Sequence, residues 1–164
     1  VVGAVSYPQA TVRDEAIEVL AGWPSQDAAP HLLVLAKDDA AHKHDPGLRG
    51  YVRLARSQPD AGKKAEMLRN AMDLARSKEE QWLVLAAWGT LHTRAALDAV
   101  TPYLDKPEVR NEAASALIGI AEAFGKRGQR EKTLAVEALR LVIEQCDNES
   151  IRKRTETALR PLQQ

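Results

Sequence analysis

A single cysteine in 164 residues cannot build an internal disulfide framework or a cysteine zinc site. Aromatic residues are scarce, at 4%, so the core cannot rest on large ring contacts. No sign of charge dominates: 23 Lys and Arg balance 23 Asp and Glu. A dedicated nucleic-acid binder needs a basic surplus to displace counterions from phosphates, and none is here. No apolar run approaches the roughly 20 residues that cross a bilayer. The chain opens on Val1, without the basic start and apolar core of a secretory leader. It reads as a piece of a longer protein. Low-complexity and strongly polar segments are also missing.

What is present is helical. The hydrophobic 45% comes mostly from Ala, Leu and Val. Ala and Leu are strong helix formers, and small side chains let helices approach closely. Val109, Ala113, Ala116, Leu117, Ile120, Ala121 and Phe124 fall on one face of a 3.6-residue period. Leu134, Ala138, Leu141 and Val142 make a second stripe, and Ala61, Ala65, Leu68, Met72 and Ala75 a third. No run alternates as a strand would. Breakers divide the pattern into helices near 10–23, 26–38, 46–57, 61–76, 78–91, 93–105, 107–124, 129–146 and 149–162. Asp45-Pro46 reads as an N-cap with proline at the first helical position. Trp23 and Trp88 are expected in the core, whereas Trp82, six residues before Trp88, points to another face.

The helices repeat. Val12-Arg13, Ala16, Val19-Leu20 and Gly22 match Val109-Arg110, Ala113, Ala116-Leu117 and Gly119 offset by offset. Leu48-Arg49 with Val52 and Ala55 begins the same way without the glycine. Glu80, Leu83, Ala86, Ala87 and Gly89 keep the spacing with Glu in place of Arg. Ile151-Arg152, Thr155, Ala158 and Leu159 open another copy. The anchors 13, 49, 80, 110 and 152 are spaced 36, 31, 30 and 42 residues apart. One helix pair buries about six apolar side chains at about 2 kcal/mol each. Ordering its backbone costs about 1 kcal/mol per residue or more. Pairs must therefore stack to share a core. The shared glycines and alanines fit close helix crossings. The expected fold is all-α, an alpha-alpha superhelix of about four helix pairs plus a terminal helix, as one domain over 1–164.

The matching starts Val12-Arg13, Leu48-Arg49, Val109-Arg110 and Ile151-Arg152 resemble HEAT repeats of the PBS-lyase-like kind, over about 10 to 162. Leu48-Arg49-Gly50-Tyr51-Val52-Arg53-Leu54, with Trp23-Pro24 and Ala28-Ala29-Pro30 before it, resembles helical-repeat segments of large exported bacterial proteins. Those segments accompany keto-disaccharide hydrolase domains. The resemblance implies an accessory role, a periplasmic or exported setting, and a fused carbohydrate-active domain as a possible neighbour.

Chemistry-bearing patterns are few. Asp38, Asp39, His42, His44 and Asp45 lie within eight positions, and His42, His44 and Asp45 are the metal candidates. A solvated turn, with Asp45 capping the next helix, accounts for the same residues. Gly125-Lys126-Arg127-Gly128-Gln129-Arg130 lacks the spacing and the preceding strand of a phosphate loop. Arg152-Lys153-Arg154 sits early in the last helix, with Glu149 and Glu156 near enough to neutralise it. Cys146 has no activating His nearby. No nucleophile elbow, zinc-protease or dinucleotide pattern occurs. No catalytic residue and no cofactor are therefore expected.

Binding is expected on a concave face lined by the second helix of each pair. Lys63, Glu66, Asn70 and Asp73 stand on one such helix. Arg94, Asp98 and Thr101 stand on the next, and Thr133, Glu137, Arg140 and Glu144 on another. Mixed signs suit a protein or peptide partner and not duplex DNA. The expected function is a non-catalytic protein-interaction or scaffolding module. Its rivals are a helical-repeat enzyme acting on a bilin or alkylated DNA, a shape-reading nucleic-acid binder, and a plain structural spacer.

Overall fold

The apolar stripe from Val109 to Phe124 dictates a helix, and the computed structural model places α7 at Arg110–Phe124 with all seven stripe residues buried. The structure describes residues 2–6 and 9–163. Among them every regular element is helical. A 3₁₀ turn at Val2–Ser6 precedes α1 (Ala10–Gly22). A 3₁₀ turn at Gln26–Ala28 leads into α2 (Ala29–Ala36), then α3 (Ala41–Ser57), α4 (Ala61–Leu74) and α5 (Lys78–Trp88). There follow α6 (Arg94–Val100) with a 3₁₀ extension at Thr101–Asp105, α7, α8 (Gln129–Gln145), and α9 (Glu149–Leu159) with a 3₁₀ end at Arg160–Leu162. Among the described residues no helix is long and apolar enough to cross a membrane.

The chain divides into two compact units, Val1–Ala75 and Arg76–Gln164. In the first, α3 is the hub: α1, α2 and α4 all pack against it. Its buried side includes Leu48, Tyr51, Val52, Leu54 and Ala55. Glycine permits the tightest approaches. A Cβ on Gly47 would lie 2.6 Å from the Ala36 amide nitrogen and 2.7 Å from the Leu35 Cβ. One on Gly50 would lie 2.9 Å from the Ala21 backbone. In the second unit α7 is the hub, packed by α5, α6, α8 and α9. The helix pairs α1–α2 and α3–α4 thus belong to one unit, and α5–α6, α7–α8 and the terminal α9 to the other.

Local chemistry sets the boundaries. The Asp60 carboxylate accepts the Lys63 amide at 2.7 Å and starts α4. Ser77 and Glu80 form a reciprocal capping box at α5, with the Glu80 carboxylate accepting the Ser77 and Arg76 amides. That is the job of the glutamate that stands where other copies carry arginine. Thr93 and Asn148 cap α6 and α9.

Helix ends are also held from neighbouring elements. Arg53 donates to the Ala21 carbonyl at 3.0 and 3.2 Å and to the Trp23 carbonyl. Gln26 donates to the Leu54 carbonyl, Lys64 to Arg56, Arg110 to Leu104 and the Trp82 indole to Glu108. Except for the turn carbonyl of Glu108, these donors satisfy C-terminal carbonyls that a helix leaves open. Burial depresses the Lys64 ammonium below its ordinary value, and the nearby Arg56 charge adds to this.

Three expectations are corrected. Asp45 does not cap α3: the helix begins at Ala41, and Pro46 lies inside it. The Asp38 carboxylate accepts the Ala40 amide at 3.0 Å and the Lys43 ammonium at 2.8 Å, which orders the turn early enough for the helix to start there. Trp23 is 45% exposed, whereas Trp88 is 2% exposed. Trp23 follows the last residue of α1, and its position is fixed by the bond from Arg53 to its carbonyl, not by burial of the ring. Gly22 does not mark a crossing, because a Cβ there would meet nothing within 4 Å. The tight crossings of the first unit fall at Gly47 and Gly50 instead.

Candidate functional site

Helix periodicity turns α6 and α8 so that part of each stripe stays open. Ala135, Ala138, Leu139 and Val142 of α8 are buried, but Leu134 and Leu141 are half-buried. Leu97, Leu134, Ala138 and Leu141 floor a groove of about 130 Å³ between α6 and α8. Its rim carries Arg94, Asp98, Thr101 and Glu137. Arg94 reaches Asp98 at 3.4 Å, one turn along the helix, and both side chains are more than half exposed. The Thr101 hydroxyl donates to the Leu97 carbonyl at 2.8 Å. The rim is therefore polar and solvated over an apolar floor, an arrangement that suits a surface contact better than bond-making chemistry.

The structure thus gathers four of the eleven residues expected on the binding face. Arg140 and Glu144 are exposed farther along α8, outside this groove, and Thr133 is exposed near its start. Lys63, Glu66 and Asp73 are exposed and Asn70 half-buried on α4, in the other unit.

The two candidate histidines take different directions. Two residues apart on α3, His42 and His44 point to different faces. His44 is 2% exposed, and its Nδ1 lies 2.6 Å from the Ala36 carbonyl oxygen. His42 and Asp45 are exposed and line a cavity of about 320 Å³ between α1 and α3. Asp14, Glu18 and Arg49 share that cavity, with Arg49 3.7 Å from Glu18. The Lys43 ammonium, then the Ala40 amide, hold the Asp38 carboxyl below the usual carboxylate value.

The remaining motifs lie outside the α6–α8 groove. Cys146 is buried and its thiol contacts the Asn111 Oδ1 at 3.4 Å. Lys153 pairs with Glu149 at 2.6 Å. Lys153 and Arg154 flank a cavity of about 290 Å³ that also touches Glu122 and Ile118. Lys126, Arg127 and Arg130 are exposed around the α7–α8 turn.

One feature escapes the sequence reading: a cleft of about 370 Å³ between α5 and α7, over Ala86, Gly89, Ala116 and Gly119. The shared glycine offset pointed to it. Gly89 and Gly119 hold equivalent places in two copies, and both face the seam between those helices.

No family model matches the chain, and no curated protein matches it. The crystal structure of an engineered protein, a target of the Northeast Structural Genomics Consortium, is similar to it. The TM-score is 0.50 and the identity 15%, over 99% of this chain and 94% of that one. A likeness at this identity bears on the fold alone, and on that point the two agree: the chain is all-α.

Proposed function

We propose that the chain is a non-catalytic, HEAT-like protein-interaction or scaffolding module, an accessory part of a larger exported bacterial protein. The observation that carries this reading is the α6–α8 groove, where Arg94, Asp98, Thr101 and Glu137 ring an apolar floor. An apolar centre with a mixed-charge rim is the usual anatomy of a contact between proteins. The resemblance of the repeated starts to HEAT repeats supports it further, as does the alternation of hub and flanking helices.

The test is affinity capture with the purified chain and with a variant carrying Lys63→Glu, Arg94→Glu and Arg140→Glu. The variant is first shown by circular dichroism to keep its helix content. A partner captured by the parent and lost by the variant supports the reading. Equal capture removes the role of these faces. Turnover of a tetrapyrrole or of alkylated DNA by the chain, abolished by changing one acidic residue, overturns the non-catalytic reading.

A further inference from the structure

We draw no further inference here: the strongest candidate, the exposed apolar row of Val12, Val19 and Trp23 along the outer face of α1, is an unpartnered face, and nothing in the structure shows what covers it.

Discussion

Helices α1 and α7 carry the same pattern and meet different fates. At the equivalent offsets Val12 is 36% exposed and Val109 fully buried, while Val19 is 49% exposed and Ala116 only 5%. Ala16 and Ala113, and Leu20 and Leu117, are buried in both. α7 has α5, α6, α8 and α9 around it, whereas α1 packs on α3 and on the short 3₁₀ turn before it. A repeat stripe is therefore two faces in one. One face serves the helix's own unit under any circumstances. The other is apolar only because a neighbour is meant to cover it, and it stays bare where none does.

The sharpest test of this difference is Leu117→Ala. In α7 the surrounding helices cannot collapse into the space, so a loss of about 3 kcal/mol is expected in urea unfolding. Leu20→Ala should cost about 1 kcal/mol less, because α1 has room to relax. Equal losses would break the comparison.

Next in size is Gly47→Ala, which forces a methyl group against the backbone of α2 and should cost about 2 kcal/mol. Gly22→Ala, at the open end of α1, should instead add about 0.5 kcal/mol. A matched pair at the first repeat offset sharpens the point. Val109→Ala should cost about 1.5 kcal/mol for two buried methyl equivalents, and Val12→Ala should stay within about 0.5 kcal/mol.

The smallest effect lies outside both stripes. The Asp38 carboxyl is held below its ordinary 3.8 by Lys43 and the Ala40 amide. Its contribution is complete above that value and fades as the pH falls through the lowered one. Asp38→Asn should lower stability slightly at neutral pH and leave the region below the lowered value nearly unchanged, so that this acid limb disappears from the stability–pH profile.

Much of this architecture is legible from residues alone. All seven positions of the Val109–Phe124 stripe are buried, and most helix boundaries fall within two or three residues of the spacing. The misses share a cause: they turn on contacts distant in sequence or on competition between local devices. Asp45-Pro46 is a sound start motif, but the Asp38–Lys43 clasp initiates the helix earlier. Trp23 looks like core until its neighbours are known. Of the candidate partner-binding residues, exposure follows from periodicity, but which of them gather around one groove depends on how α6 meets α8. The α5–α7 cleft rests on glycine positions whose spacing was plain. Whether two small residues permit contact or leave a gap is decided by a few tenths of an ångström.

The side-chain donors on helix-end carbonyls have a consequence for how such a chain can change over time. Arg53 holds the peptide oxygens of positions 21 and 23, and every amino acid supplies that oxygen. The acceptor positions are free to drift in identity while the joint keeps its geometry. The donor is not: a lysine has no fork with which to grip two oxygens at once. Turns built this way conserve shape through a handful of long side chains and leave the spelling of the turn itself almost unconstrained.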